Sequence, residues 1–264
     1  MKENPYRPLA AEIIELRRET SAEFTIKVKA EAEICPGQFF QVSLPKIGEA
    51  PISVSSFGPD YIEFTIRAVG TLTNVLHDYR VGDRIFIRGP YGRGFPVEKF
   101  RDKDLLIVAG GSGLAPVRPL IQKSLSGELG IRSLKLIIGF KNSEGILFSQ
   151  QIEEWAKESD LLLTIDKPES GWIGKTGLVT EHIKKLPKDS LKNLEAVVVG
   201  PTMMMKFSTA ELVLLGLKDE QIWVSFERLM SCGIGKCGHC KIDYTYVCVD
   251  GPVLNYSHAA RLID

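Results

Sequence analysis

The chain has 264 residues, of which 44% are hydrophobic and 25% charged, so it has the composition of a globular protein with two ordinary domains and a small appendage. Its 33 basic residues balance 33 acidic residues, which leaves no electrostatic footprint for nucleic acid or an anionic membrane. The first residues lack the apolar region of a signal peptide, and no stretch approaches the ~20 apolar residues of a membrane span. We therefore expect a cytoplasmic protein with no nucleic-acid partner and no membrane span.

Residues 1–100 are predicted to form a small antiparallel β-barrel. Runs that alternate in polarity, or that are rich in β-branched and aromatic residues, are separated by turn signals such as Pro36-Gly37. Many short strands at this spacing favour a barrel. The predicted elements are one short helix at 72–79 and strands at 22–30, 37–44, 61–69 and 84–89.

Two segments of this half carry candidate ligand-binding residues. The first is Ala50-Pro-Ile-Ser-Val-Ser-Ser56. In the second, Gly70 precedes Thr71 and Thr73 at the start of the predicted helix, where backbone N–H groups and the helix dipole can hold a phosphate. Arg67 is suited equally to a phosphate and to a surface carboxylate, so its role stays open at this point.

Residues 101–225 are predicted to form a parallel, doubly wound α/β domain. Short apolar runs without alternation are typical of strands buried on both faces, and helical patterns lie between them. The predicted strands are 105–109, 134–139, 161–165, 196–200 and 221–225, and the predicted helices are 115–125, 147–157, 179–186 and 203–215.

Two turns of this domain are candidates for binding a nucleotide. The first strand ends in Gly110-Gly111-Ser112-Gly113, and Pro116 follows in the next helix. Glycine lets the backbone approach a pyrophosphate closely, and the helix start offers N–H groups to it. This turn lacks the full G-x-G-x-x-G fingerprint. Gly200-Pro201 forms a second turn at the carboxyl end of another strand, and this strengthens the prediction of a nucleotide site. Most of Met203–Met205, which follow, are interpreted as core residues.

Four of the five cysteines lie in the last 33 residues, within a segment, 226–264, that we predict to be a small separate module. Their spacing is C-x4-C-x2-C with a fourth cysteine after seven intervening residues, the order found in plant-type 2Fe–2S ferredoxins. Four thiolates at short range can hold two irons, and the glycines between them let the loop aim N–H groups at the sulfurs. We therefore predict an iron–sulfur site with the ligands Cys232, Cys237, Cys240 and Cys248.

Other interpretations of the cysteines are weaker. Structural zinc usually takes two C-x2-C pairs, and this segment has one. A disulfide does not suit a chain without an export signal, and Cys35 stands alone as a structural or incidental thiol. His239 lies between two predicted ligands but is interpreted as a surface residue, because four cysteines complete the set. The other histidines are scattered and are interpreted as structural.

The order of these parts resembles the ferredoxin–NADP reductase superfamily, in which a β-barrel precedes an α/β domain that here opens with Gly-Gly-Ser-Gly-Leu-Ala-Pro and closes with Gly-Pro-Thr-Met-Met-Met. The four-cysteine module narrows the resemblance to electron-transfer subunits. Among these the chain is similar to the B subunits of anaerobic sulfite reductases over nearly its whole length. The similar segments include Gly48-Glu-Ala-Pro-Ile-Ser-Val54, Glu227-Arg228, Gly235-Lys-Cys-Gly-His-Cys240 and Asn255-Tyr256.

The resemblance implies which residues hold the cofactors. In the superfamily a segment Arg-x-Tyr-Ser holds FAD, and the matching segment, Ala50–Ser53, lacks both the Arg and the Tyr. The implied flavin contacts are Pro51, Ile52, Ser53 and Val54, and the candidates to hold the flavin phosphates are Arg67, Gly70, Thr71 and Thr73. The implied contacts of the nicotinamide nucleotide are Gly110, Gly111, Ser112, Gly113, Pro116, Gly200 and Pro201.

The resemblance also implies an electron relay without a catalytic side chain. NAD(P)H would deliver a hydride to FAD, and electrons would leave singly through a 2Fe–2S cluster to a partner protein. The expected partner is a sulfite reductase, and the alternatives are a hydrogenase, dihydroorotate dehydrogenase B and a bifurcating transhydrogenase. A zinc-stabilised nucleotide sensor is the alternative outside redox chemistry. NADH is preferred over NADPH, although Gly139-Phe-Lys-Asn-Ser-Glu144 offers both a cation for a 2′-phosphate and an acid for a ribose hydroxyl.

Overall fold

The computed structural model describes residues 4–187 and 191–262. The prediction that no signal peptide is present falls partly on residues 1–3, which lie outside the described residues. Contacts divide the chain into two compact units. The first comprises the described residues of Met1–Gly94 together with Phe226–Pro252, and the second those of Phe95–Ser225 together with Val253–Asp264. The segment 226–264, predicted to be one module, is thus shared between the two units.

The first unit contains a closed antiparallel barrel, which confirms the predicted fold of the N-terminal half. Its strand order is β1-β2-β5-β4-β3-β6. Phe24, Phe64 and Ile85 are among the fully buried side chains that fill it. The elements are β1 (Leu9–Arg18), β2 (Glu23–Lys29), β3 (Phe39–Leu44), β4 (Gly48–Phe57), β5 (Tyr61–Arg67), α1 (Thr71–His77) and β6 (Arg84–Tyr91).

Two barrel strands, β1 and β4, were not predicted. The β1 sequence, Leu-Ala-Ala-Glu-Ile-Ile-Glu-Leu-Arg-Arg, is rich in strong helix formers, and tertiary pairing with β2 and β6 overrides that preference. The β4 strand contains Pro51, which cannot donate to a ladder. Pro51 is tolerated because β4 pairs with β3 along Gly48–Ser53, whereas its ladder with β5 begins only at Val54.

The second unit contains a seven-stranded sheet with the order β10-β9-β8-β7-β11-β12-β15. Its first six strands run parallel, in the predicted sense. Five of them were predicted and the two-residue β10 was not, and helices connect consecutive strands except β9 and β10. The elements up to the sixth strand are α2 (Val97–Phe100), β7 (Asp104–Gly110), α3 (Leu114–Leu125), β8 (Ser133–Phe140), α4 (Ser149–Glu158), β9 (Asp160–Ile165), β10 (Lys175–Thr176), α5 (Val179–Ile183), β11 (Leu194–Val199), α6 (Thr202–Leu215) and β12 (Ile222–Ser225).

Helices cover both faces of this sheet, so the predicted doubly wound architecture is confirmed. Alternate β7 residues, Leu105 and Ile107, share one core cluster with α3 and α4. Their neighbours Leu106 and Val108 are equally buried but belong to the other face, and α5 packs against β8 and α6. Burial on both faces explains the apolar runs without alternation.

The cysteine segment leaves β12 and returns as the last strand of the same sheet. It carries a small antiparallel ribbon, β13 (Lys241–Ile242) and β14 (Thr245–Tyr246). The chain then forms β15 (Val253–Asn255), which pairs antiparallel with β12, and α7 (Tyr256–Ala259). The antiparallel edge strand was not predicted, because three residues are too few for a periodic signal. None of the helices in the described part of the chain is long and apolar enough to cross a membrane.

Candidate functional site

The cysteine loop is folded around the sulfur atoms that the spacing singled out. Gly233, Gly235 and Gly238 all have positive φ, between +73° and +81°, which glycine adopts without the strain of a side chain. These turns aim backbone N–H groups inward. The Cys232 Sγ accepts N–H groups from Ile234, Lys236 and Cys237 at 3.3–3.4 Å, and the Cys248 Sγ accepts the Gly235 N–H at 3.2 Å.

Side-chain hydrogen bonds join the four thiols in two pairs, and the Cys232 thiol also acts on the pKa of the Cys248 thiol. Cys237 contacts Cys232, and Cys248 contacts Cys240 through the sulfur atoms. Backbone hydrogen bonds, first that involving Cys232, lower the pKa of the exposed Cys237 thiol to about 7, which favours the thiolate that binds metal. Burial, followed by the hydrogen bond with Cys240, raises the pKa of the Cys248 thiol to about 12.

This donor set fits a two-iron cluster. Among the residues that the structure describes, no three His, Cys, Asp or Glu side chains form a group suited to a metal ion. Two thiol pairs are instead what two bridged irons require, one pair for each iron, and N–H groups directed at sulfur are a recurring feature of such centres. His239 is exposed, in keeping with the surface role predicted for it.

A buried arginine from the barrel holds the start of this loop. The Arg88 Nη1 donates to the carbonyl of Cys232, and its Nη2 donates to the carbonyl of Ser231, both at 2.5 Å. Two further bonds, at 2.5 and 2.6 Å, join the same guanidinium to the carboxylate of Glu49. Sequence reasoning missed this contact, because Arg88 and Cys232 are 144 positions apart and no local pattern connects them.

The two glycine turns of the α/β unit meet at adjacent carboxyl ends of β7 and β11. Ala109 lies opposite Val199 in the parallel ladder, so Gly110 and Gly200 follow at the same edge. A Cβ on Gly113 would lie 2.6 Å from Gly200 Cα and from the Val199 carbonyl, which only glycine avoids. The structure thus brings together both candidate nucleotide turns.

Other residues of the turns differ in how accessible they are. Ser112 is exposed, and Gly111 has a φ of +54° with open space where a Cβ would lie, so this part of the backbone is available to a ligand. Pro116 is buried in α3, and Pro201 precedes α6. Met204 packs between the two turns, and a Cβ on Gly110 would lie 2.2 Å from its sulfur.

A carboxylate that the sequence did not single out lies beyond the carboxyl ends of the next two strands, β8 and β9. Glu169, in the loop after β9, accepts hydrogen bonds from the backbone N–H of Ser143 at 3.1 Å and from its hydroxyl at 2.6 Å. Ser143 lies in the loop after β8, beside Lys141 and Glu144, the cation and acid noted above. Ligands of open α/β sheets bind outside such carboxyl ends.

The candidate flavin segment lies where β4 lacks a second neighbouring strand. Pro51, Ile52 and Ser53 are half-buried and lie in the part of β4 that pairs with β3 alone. Val54 differs, because its side chain is fully buried in the barrel core and its N–H donates to the Gln38 carbonyl. The stretch 51–53 is therefore the accessible part of the predicted flavin contact.

The second candidate segment of the barrel is already partly satisfied by its own residues. The Thr73 hydroxyl accepts the N–H groups of Val69 and Gly70 at 3.1 and 2.9 Å, and Thr71 begins α1, which packs against β4. Arg67 forms an ion pair with Glu23 at 3.3 Å and keeps 60% of its side chain exposed. Arg67 therefore pairs with a largely buried carboxylate in this structure, and its role toward a phosphate stays a prediction.

Two known domain families match parts of the chain. Residues 107–210 match the oxidoreductase NAD-binding domain, and residues 227–259 match the iron–sulfur cluster binding domain of dihydroorotate dehydrogenase B. The first match contains both glycine turns, and the second contains all four clustered cysteines.

Curated relatives cover almost the whole chain. The chain is 36% identical to the sulfhydrogenase 2 subunit gamma of Pyrococcus furiosus over 96% of either sequence. It is 34% identical to a probable dihydroorotate dehydrogenase B electron transfer subunit of Methanocaldococcus jannaschii, over 94% of this chain and 89% of that one. Among solved structures, that of the NADH-dependent reduced ferredoxin–NADP oxidoreductase aligns with all of this chain and 94% of the other, at a TM-score of 0.79 and 26% identity.

The fold and the two domain matches define an oxidoreductase subunit of the ferredoxin–NADP reductase type with an iron–sulfur domain. The chain belongs to the family of electron-transfer subunits that includes the hydrogenase gamma and dihydroorotate dehydrogenase B subunits. Membership confirms the predicted superfamily and its nucleotide and iron–sulfur cofactors. It does not support the predicted likeness to sulfite reductase subunits, and favours the hydrogenase and dihydroorotate dehydrogenase alternatives.

Proposed function

We propose that this protein oxidises NADH and passes single electrons through a 2Fe–2S cluster to a catalytic partner subunit. The observation that carries the proposal is the pairing of four thiols within a segment that matches an iron–sulfur domain, in a chain that also carries an NAD-binding domain. FAD, when bound, supplies the conversion between the two-electron chemistry of NADH and the one-electron chemistry of the cluster. The thiols are suited to a reducing compartment such as the cytoplasm.

The chain's own residues bind and orient rather than exchange protons. In this proposal, Cys232 with Cys237 and Cys240 with Cys248 each hold one iron. The stretch 51–53 of β4 lies against the flavin, while Ser112, the surrounding glycines and Gly200-Pro201 hold the nicotinamide nucleotide. Arg67 would have to leave Glu23 to reach a flavin phosphate, and the Gly70 N–H already donates to the Thr73 hydroxyl. We therefore assign the phosphates to the start of α1 at Thr71.

We propose a hydrogenase as the partner, because two gamma subunits of Pyrococcus furiosus sulfhydrogenases, at 36% and 34% identity, are among the relatives. Dihydroorotate dehydrogenase B is the second candidate, supported by a relative at 34% identity and by the iron–sulfur domain match. Affinity purification of the tagged protein from its own cells, followed by mass spectrometry, tests this choice. Recovery of a flavin-dependent dehydrogenase subunit in place of hydrogenase subunits would favour the second candidate.

The relay itself is tested by removing one predicted ligand. We expect Cys237→Ser to lose the cluster and at least 90% of electron transfer to a one-electron acceptor while NADH still bleaches the flavin. Cys35→Ser is the matched control, because Cys35 is also an exposed cysteine but lies outside the cluster segment. The measurements are iron, sulfide and flavin content, and anaerobic stopped-flow absorbance. A wild-type protein that binds zinc without iron or flavin would overturn the proposal.

We further propose that NADH is preferred over NADPH. Glu169 and Glu144 place carboxylates in the loops after β9 and β8, and a 2′-phosphate near them would be repelled. We expect kcat/KM to favour NADH, and Glu169→Gln to improve kcat/KM for NADPH about 10-fold, which corresponds to ~1.4 kcal/mol. Glu158→Gln, at the end of α4 and just before the start of β9, is the control at the opposite edge of the sheet. A wild-type preference for NADPH would contradict this proposal.

A further inference from the structure

We propose that Arg88 and Glu49 form a positioning pair that fixes the Cys232 end of the cluster loop and sets the charge felt by the cluster. The inference rests on the proposed function, since it requires a cluster at the four cysteines. It adds two residues, both from barrel strands, to a site otherwise built from the cysteine segment.

The geometry assigns Arg88 to this role. Only 7% of the residue is exposed, and its guanidinium is directed at two consecutive backbone carbonyls, those of Ser231 and Cys232. The Tyr91 hydroxyl lies 3.1 Å from Nη1 and accepts a further bond. A guanidinium presents its donors in a fixed plane, so these bonds hold the loop in one orientation relative to the barrel.

Glu49 completes the pair from β4. Its two carboxylate oxygens bind Nε and Nη2 of Arg88, and this hydrogen bonding raises the pKa of the guanidinium above its ordinary value. A buried arginine without its carboxylate would be an uncompensated charge, so the two residues act as a unit. Because Glu49 is two residues before Pro51, the same strand carries the candidate flavin segment and the anchor of the cluster loop.

Both residues also affect a cluster electrostatically. Reduction adds one negative charge, so a nearby positive charge stabilises the reduced form and raises the reduction potential. The Arg88 guanidinium binds the carbonyl of the first predicted ligand, and Glu49, which binds the same guanidinium, carries the opposite charge and so opposes its effect. Removing one or the other should therefore move the potential in opposite directions, a pattern that a purely structural role does not produce.

The test uses the anaerobically purified full-length protein with Arg88→Met, Arg88→Lys, Glu49→Gln and a control, Arg17→Met. Arg17 pairs with Glu63 at 2.8 Å elsewhere in the barrel and so reproduces the loss of an Arg–Glu pair. The measurements are iron per chain, the rate of iron loss to a chelator, and the cluster potential by EPR-monitored titration. Thermal unfolding of the iron-free proteins reports any general loss of stability.

We expect Arg88→Met to shift the potential to a more negative value and to lose iron at least 5-fold faster than wild type. Arg88→Lys should keep the potential closer to wild type but lose iron as fast as Arg88→Met, because an ammonium group has three donors and cannot replace the five hydrogen bonds of the guanidinium. Glu49→Gln should shift the potential to a more positive value, and Arg17→Met should change neither property.

Shifts of the same sign in Arg88→Met and Glu49→Gln, or no shift in either, would overturn the inference while leaving the proposed function intact. If Arg88→Met does not fold, an unchanged reduction potential in Glu49→Gln would by itself overturn the inference. Wild-type protein without iron would overturn the proposed function and this inference together.

Discussion

Single residues of the two glycine turns are needed for different reasons. Gly111 has a φ of +54°, whereas Gly113 has an ordinary helical φ of −63° and is required because backbone atoms of the neighbouring turn are too close for a side chain. The sequence indicated both as a glycine-rich turn but could not separate these reasons. Close approach depends on Gly200, which lies in a distant part of the chain and reaches Gly113 only once β7 and β11 pair.

We expect Gly113→Ala to lower the free energy of unfolding by about 1–3 kcal/mol, the usual cost of overpacking, and to weaken NADH binding. Gly127→Ala is the control, because Gly127 has a φ of +79° and open space around it, so its substitution costs stability through backbone strain alone. Thermal unfolding and nucleotide titration measure the two effects. Equal NADH affinity in both variants would show that the contact between the turns does not shape the nucleotide site.

At the scale of elements, sequence patterns predicted what is periodic and missed what depends on pairing. Five of the six parallel strands and the longer helices were predicted to within a few residues, since burial on both faces produces long apolar runs, whereas the two-residue, exposed β10 was missed. The β1 and β4 strands were missed because helix formers and a proline mask them. The outer face of β3 was equally hidden: Gln41, opposite Pro51 and Arg88 in the ladders, is fully buried although its sequence position gives no sign of it.

Gln41, which is fully buried, and Gln38, which is half-buried just before β3, test how hydrogen-bond partners affect the cost of burying an amide. Neither amide atom of Gln41 has a hydrogen-bond partner in the described part of the chain, whereas Gln38 donates to the Gly92 carbonyl and accepts the Cys35 N–H, both at 2.9 Å. We expect Gln41→Met to stabilise the protein by about 1 kcal/mol and Gln38→Met to destabilise it by about 1–3 kcal/mol, because an unpaired buried amide is costly and a paired one is not. Chemical denaturation measures both changes. Destabilisation by Gln41→Met would mean that its amide has a partner in solution.

For the whole molecule, the sequence predicted three successive domains, and contacts group the chain into two units instead. The labels of the predicted domains, 1–100 for FAD, 101–225 for NAD(P) and 226–264 for the cluster, remain predictions about function. The difference arises because β15 and α7 lie beyond the cysteines in the chain but complete the α/β unit. No local pattern reveals that a three-residue strand will pair with one from which 27 residues separate it.

The second unit should fold without both parts of the first unit, the barrel and the cysteine segment. Ser225 and Val253 are paired residues of adjacent antiparallel strands, so an Asn-Gly turn can join residues 95–225 to 253–264 as a hairpin. We expect this shortened protein to unfold in a single cooperative transition and to bind NADH, because its main core cluster lies wholly within it. Circular dichroism during thermal unfolding provides the measurement. A broad transition without cooperativity would show that the unit depends on the barrel or on the cysteine segment for its folding.

The pairing of β12 with β15 has a consequence for how a newly made chain matures. A ribosome releases β12 before any of the four clustered cysteines and β15 only after the last of them. The nascent α/β unit therefore has an open strand edge throughout the synthesis of the cysteine segment, and open edges pair readily with other chains. All the thiols needed for a cluster are thus already present when β15 closes that edge.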